Sequence, residues 1–367
     1  MPSDIRAAAS RPAFDRTDLA VLQALDIDGR ASFSRIGAAL GISDQTVARR
    51  LARMRAHAGA RVVAVRDRTR AVVASWTLRL RCSPDAAPGL ARALARRADT
   101  SWIVLVSGGT EVVVTTGADS AAARDALLLG TLPRTPALDG IRAHQHLHRF
   151  FGGPSGWLAK AGALSAEQRA ALSQGPRAGQ RPGPGAGAGQ GTGAGPGEGS
   201  RPAPAPAPVP PPYEDGPDPA PEDAALIAAL ARDGRLPFPR LAELTGRSEA
   251  TVRRRTARLL ASGALFLDVQ YDPAAFGFGT AALLWIETEP GARHRTGEAL
   301  AAHAEIASVT AVTGDCDLTA VLVCRDTRAL YAYLSDTLGP LPGVRRVECT
   351  PILRQVKQLV YEEGTAG

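Results

Sequence analysis

Lysine is nearly absent. Of 43 basic residues only Lys160 and Lys357 are lysines, so arginine carries almost all the positive charge. So one-sided a usage, beside heavy alanine, fits genome composition, and the net charge of +7 says less than where the charge lies. Cysteine is sparse too: Cys82, Cys316, Cys324 and Cys349 form no C-x-x-C pair, which leaves a zinc site or a disulfide framework unsupported. No apolar run approaches the ~18 residues of a membrane helix. The opening residues have no apolar core segment of the signal-peptide kind. No nucleophile constellation, phosphate loop or paired acid–base motif stands out. The expectations are therefore a reduced, cytoplasmic chain, not an enzyme, without membrane, metal or cofactor.

What is present is a repeat. Asp28 to Met54 (DGRASFSRIGAALGISDQTVARRLARM) returns at Asp233 to Leu259 (DGRLPFPRLAELTGRSEATVRRRTARL) at a constant offset of 205. In the first copy Ile36 and Leu40 share a helix face. Gly41 tolerates the positive φ that ends that helix. Ser43 then stands at an N-cap, with Asp44 in the first turn. Val47, Leu51 and Met54 make the apolar stripe of a second helix, with Arg49, Arg50 and Arg53 mostly off it. This is a helix-turn-helix, whose second helix enters a DNA major groove. Charge placement agrees. Residues 1–70 hold 13 arginines against 7 acids, whereas 271–367 hold 8 basic residues against 12 acids.

Taken in order, the chain is α+β. Residues 14–70 are expected to form a first winged helix-turn-helix domain, with Arg61 to Val65 as one side of a wing hairpin. Residues 71–151 follow as strands at Val72–Leu80, Trp102–Val106, Glu111–Thr116 and Ile141–Phe151 and helices at Ala87–Arg97 and Ser120–Leu129. That is βαββαβ, a ferredoxin-like sandwich. Residues 152–221 form a linker. Its Gly/Pro/Ala stretch buries too little to offset chain ordering, though Ser165-x-x-Gln168 has the form of a capping box ahead of a short helix. Residues 222–271 repeat the winged domain, with Leu265 to Val269 as its strand, and 272–361 repeat the sandwich.

These residues resemble the Lrp/AsnC family, the feast/famine transcription regulators. The resemblance rests on the leading helix, DGR and Ser-x-x-Thr-Val ahead of an arginine face. It continues through Ser262-Gly263-Ala264-Leu265, Asp272-Pro273 with Phe276-Gly277, Thr313-Gly314-Asp315-Cys316-Asp317-Leu318 and Leu341-Pro342-Gly343-Val344. It implies winged helix-turn-helix domains that bind double-stranded DNA and ferredoxin-like effector domains that pair with one another. It also implies a small effector, commonly an amino acid, held near the glycine–aspartate turn. The DNA-binding candidates are Ser43, Gln45, Thr46, Arg49, Arg50 and Arg53, with Ser248, Thr251, Arg253, Arg254, Arg255 and Arg258. Gln45, Arg49, Arg253 and Arg254 suit base edges; Arg50, Arg53, Arg255 and Arg258 suit phosphates. The effector candidates are Gly314, Asp315 and Asp317.

The copies differ. Gly108-Gly109-Thr110-Glu111 stands where the second half has Gly314-Asp315-Cys316-Asp317, so Gly109 offers no carboxylate to match Asp315. Thr256 puts a polar atom where Leu51 stands on the packing stripe. His144, His146 and His148 alternate along one expected strand and so share a face. Two other functions stay open: a tetrapyrrole enzyme resembling siroheme decarboxylases, and an architectural DNA-binding protein without a ligand.

Overall fold

The computed structural model describes residues 13–66, 75–118, 120–152, 157–173 and 219–358. The first half opens on helices α1 (Arg16–Ile27), α2 (Phe33–Leu40) and α3 (Asp44–Ala58). Asp15 caps α1 in a reciprocal capping box with Asp18. Gly41, at φ 70°, ends α2, and Ser43 accepts the Thr46 N–H to start α3. Val21, Leu22, Leu25, Ile36, Val47 and Met54 are buried together beneath them. The second half repeats this with α7 (Ala224–Arg232), α8 (Phe238–Thr245) and α9 (Glu249–Ala261), around Leu226, Leu230, Leu241, Val252 and Leu259.

The two expected wing strands do not form a hairpin each. β1 (Arg61–Arg66) pairs antiparallel with β6 (Leu265–Gln270) of the other half. Val63 faces Asp268, its own counterpart at the 205 offset, so a pseudo-two-fold axis passes through that pair. The same axis relates two arginines. Arg30 donates to the Gly234 and Leu236 carbonyls and lies over Phe238; Arg235 donates to the Gly29 and Ala31 carbonyls and lies over Phe33. The DGR motif is thus a reciprocal clasp between the DNA-binding units.

The sandwiches follow the expected order. The first contains β2 (Trp76–Cys82), α4 (Ala87–Ala95), β3 (Thr100–Val106), β4 (Glu111–Thr116), α5 (Ala121–Asp125, continued as a π-turn to Thr131) and β5 (Leu138–Phe151). The second contains β7 (Thr280–Thr288), α10 (Arg293–Ala302), β8 (Ile306–Val312), β9 (Leu318–Cys324), α11 (Thr327–Ala332, continued as a π-turn to Leu338) and β10 (Val344–Lys357). The expected strand residues Val72 to Ala74 lie outside the described residues. β5 and β10 bridge the halves. β5 pairs with β2 and then β8, and β10 with β7 and then β3, which closes an eight-stranded barrel. The last residues of β10, Ile352 to Lys357, find their partners on β3 of the other half.

One boundary moves. The linker was expected to start at residue 152, yet a turn at Trp157–Lys160 and α6 (Ala166–Ser173) pack against the first DNA-binding unit. Leu158, Leu164 and Leu172 join its core. Buried Gln23 on α1 donates to the Leu158 carbonyl and accepts the Ala163 and Leu164 N–H groups. The capping box forms as expected, Ser165 N–H to Gln168 and Gln168 N–H to Ser165. The Gly/Pro/Ala stretch beyond Ser173 lies outside the described residues. Among the described residues no helix is long and apolar enough to cross a membrane, and the four cysteines are free.

Candidate nucleic-acid interface and effector turn

Each recognition helix starts on a serine cap and shows an arginine face. In α3 the Ser43 and Thr46 hydroxyls lie 2.9 Å apart, as do those of Ser248 and Thr251 in α9. These four fix the helix starts. Gln45 is exposed. Arg49 and Arg254, related by the 205 offset, are exposed and make no ion pair among the described residues. Arg253 is exposed but pairs with Glu249 at 2.6 Å and stacks on Phe238 at 4.3 Å.

The arginines expected on phosphates are placed differently. Arg50 holds Asp15 and Asp18, at 2.9 and 2.8 Å, and Arg53 holds Asp18 at 2.6 Å. Arg255 holds Glu222 and Asp223, each at 2.6 Å, and Arg258 holds Asp223 at 3.0 Å. Asp18 and Asp223 are buried, and each would be an uncompensated charge without its arginines. Arg50 and Arg255 therefore tie the recognition helix to the leading helix. Arg53 and Arg258, about half exposed, do the same and still reach solvent. Asp18 and Asp223 were not singled out from sequence, although their shared 205 register was a readable signal.

The effector turn lies at the barrel end of β8. Asp317 is occupied: it accepts the Thr288 N–H at 2.8 Å and hydroxyl at 3.0 Å, and pairs with Arg293. Although burial pulls it up, these donors hold its carboxyl below the usual carboxylate range. Asp315 meets groups from the other half. Arg142 lies 3.1 Å from one oxygen, and His144 Nε2 lies 3.6 Å from the other. His144 Nδ1 lies 2.9 Å from the Thr313 carbonyl and donates to it. Gly314, at φ 110°, is required here, because a Cβ would sit 2.7 Å from His144 Nδ1. Burial, with Asp315 and Asp317 nearby, pushes the Cys316 thiol up to about 12. His144, Asp315 and Cys316 bring three potential metal-ligating atoms within 4.8 Å of one another. Arg142 and His144 were invisible as partners in sequence, since they arrive from about 170 residues away.

The three histidines do not share a face. A bulge between His146 and His148 turns His148 away, against Phe150 and His294. His144 and His146 point into the barrel, where His146 Nε2 meets the Thr77 hydroxyl at 2.7 Å. Burial, with Arg149 and His144, takes His146 down to about 4.

An AsnC-type helix-turn-helix domain model matches residues 14–55 and again 223–260, and an Lrp/AsnC ligand binding domain model matches 281–360. The chain thus carries an AsnC-type DNA-binding unit in each half and an Lrp/AsnC ligand binding domain in the second. The first sandwich lies outside those matches, in line with its altered turn. Among the proteins this chain resembles is the HTH-type transcriptional regulator FL11 of Pyrococcus horikoshii. It is 28% identical over 138 residues, which are 37% of this chain and 90% of FL11. The regulator LrpA of the same organism is 26% identical over 136 residues, 37% of this chain and 96% of LrpA. One relative thus corresponds to well under half of this chain, as a tandem arrangement requires. The siroheme decarboxylase NirDL, solved with an iron-uroporphyrin III analogue, is similar over 95% of this chain and 94% of its own, with a TM-score of 0.53 and 10% identity. That likeness shows the fold alone.

Proposed function

We infer that this helix-turn-helix regulator reads DNA with both arms of a single chain, as an asymmetric pair. The observation that carries the reading is the exposure of Arg49 and Arg254 at equivalent places on two serine-capped helices clasped about one axis. Arg49 beside Gln45, and Arg254 beside Arg253, are offered to base edges. Arg53 and Arg258 are offered to phosphates, and Arg50 and Arg255 support them from below. The arms present different side chains, so the preferred operator is not a perfect palindrome. The double variant Arg49→Ala, Arg254→Ala weakens operator binding at least about tenfold and narrows its preference over non-operator DNA. Unchanged affinity in a mobility-shift titration would sink the interface.

A small effector, an amino acid by class, acts at Gly314 and Asp315. Asp317 is left to hold the turn. The effector's ammonium competes with Arg142 for Asp315, and because Arg142 belongs to the other half, occupation changes how the halves sit. Such a ligand works only through different affinity for the two states. Asp315→Ala removes the effector response of operator binding and leaves basal binding intact; a full response in that variant rejects the site. Self-association through the effector domains, and work on the nucleoid in the cytoplasm, complete the proposal.

The whole-length likeness to NirDL keeps a second reading, a tetrapyrrole enzyme. A partly open cavity of about 300 Å³ lies between the barrel and the DNA-binding pair. The two serine-capped helices with exposed arginines favour the regulator. Strong visible absorption by the purified chain would reverse that choice.

A further inference from the structure

The Gly314–Asp315 turn brings more than a carboxylate to the place where the halves meet. His144 comes from β5 of the first half, and Asp315 and Cys316 come from the turn of the second. One ligand atom of each lies within 4.8 Å of the other two. The His144 ring is 1% exposed. Its Nδ1 donates to the Thr313 carbonyl, and its Nε2 is buried with no hydrogen-bond partner among the described residues. An Asp315 oxygen stands 3.6 Å from Nε2, too far for a hydrogen bond. Arg142 holds the other oxygen of that carboxylate at 3.1 Å, on the solvent side. Cys316 Sγ lies beside the ring, 3.9 Å from Nδ1.

These are the supports that a metal-binding histidine has. A ligating imidazole gives its second N–H to a backbone carbonyl, which fixes the ring, and a ligating carboxylate is itself hydrogen-bonded. In a tetrahedral zinc site, nitrogen and oxygen ligands ~2.0–2.1 Å from the ion stand about 3.4 Å apart. The 3.6 Å between Nε2 and Asp315 is close to that. An imidazole, a thiolate and a carboxylate together suit zinc, whereas magnesium and calcium take oxygen ligands. Arg142 already pairs with Asp315, so the carboxylate alone selects nothing; the buried nitrogen and the sulfur do. The fold does not need these three residues. In the sandwiches the repeat offset is 206, since His144 lies opposite Thr77 and Thr350 opposite Leu283. At that offset His144, Asp315 and Cys316 correspond to Thr350, Gly109 and Thr110. The first turn is built without any of the three.

We propose that His144 Nε2, Asp315 and Cys316 form a zinc site across the two halves. Asp315 is about half exposed, so a fourth position opens to solvent beside it. The Cys316 thiol gives its proton to solvent as zinc binds. An ion there joins β5 of one half to the turn of the other, so its binding is linked to how the halves sit. Spacing along the sequence does not show the site, because one ligand comes from the other half. The site shares Asp315 with the proposed amino-acid effector, uses the oxygen that Arg142 does not hold, and does not depend on that reading.

The test is titration of the full-length, chelator-stripped chain with zinc alone, and with cobalt as a coloured probe of the same site. One zinc binds per chain, and cobalt develops the near-ultraviolet charge-transfer band of a cobalt–thiolate bond. Cys316→Ser removes that band. Cys316→Ser and Asp315→Asn each weaken zinc binding at least about tenfold. Cys349→Ser leaves both readings unchanged, and thermal melting checks that the variants stay folded. Should Cys316→Ser fail to fold, the cobalt band of the parent chain and the exposed Asp315→Asn variant still decide. Zinc uptake is read with no amino acid present, so either reading of the turn can fail alone. The proposal is overturned if the parent chain takes up no zinc, which leaves His144 and Asp315 a loose ion pair. It is also overturned if the cobalt complex shows no thiolate band, or if Cys316→Ser binds zinc as the parent does.

Discussion

The two halves share one plan and differ most where they meet. Inside the barrel, Arg79 of the first half lies opposite Arg142 on its neighbouring strand, whereas Trp285 of the second lies opposite Glu348. Across the axis these positions fit together. Arg79 stacks on Trp285 at 4.3 Å and pairs with Glu348 at 2.6 Å, while Glu111 holds its other side at 2.6 Å. Two first halves brought together would bury two Arg79 side chains with no Glu348. Two second halves would supply no Arg79. The difference therefore favours pairing of unlike halves, which a single chain provides.

The largest break in this comparison comes at Arg79. Arg79→Ala leaves Glu111 buried without its partner and costs about 3–5 kcal/mol. Arg142→Ala, on the exposed Asp315 pair, costs under about 1 kcal/mol. Thermal melting of both variants checks the contrast. Next comes the axis of the DNA-binding pair, where Asp268 stands opposite Val63. Burial raises the Asp268 carboxyl to about 7, beside Asp26, which burial also pushes well up. The folded state thus keeps a proton that the unfolded chain loses near pH 4, so this group's contribution falls as pH rises from about 4 to about 7. Asp268→Asn removes that loss. Relative to the parent it gains stability across this window, on the order of 4 kcal/mol above pH 7, and nothing near pH 4. A flat difference between melting curves over that range contradicts the assignment.

The smallest effect distinguishes the arms. Thr256 is buried at the site of Leu51, and its hydroxyl has no hydrogen-bond partner, so the second arm carries an unsatisfied polar atom. Thr256→Val keeps the shape and stabilises by about 1 kcal/mol. Local hydrogen exchange in α9 slows accordingly.

Much of this was legible in the sequence. The 205 offset fixed both helix-turn-helix units, and the β-branched run at Glu111–Thr116 placed β4. Local signals, caps and periodicity, decide such elements. What stayed hidden was pairing between the halves. The strand at Arg61 looked like a wing because a strand needs a partner, and sequence does not say that the partner is at Leu265. The three histidines looked coplanar because one bulge, invisible in residue types, reverses the alternation after His146. Arg50 and Arg255 looked like phosphate ligands until Asp18 and Asp223 were found beneath them. Leu158, Leu164 and Leu172 fall within the expected linker because single leucines, one each in a turn, a loop and the short helix α6, make no apolar stripe.

The central claim is that two unlike arms of one chain read one operator. Base-resolution footprinting of Arg49→Ala and Arg254→Ala, made singly, tests it most directly. Each variant is predicted to lose protection at one half-site and keep the other, with different half-sites for the two. Equal loss across both half-sites in either variant, or no loss in one of them, would contradict the account.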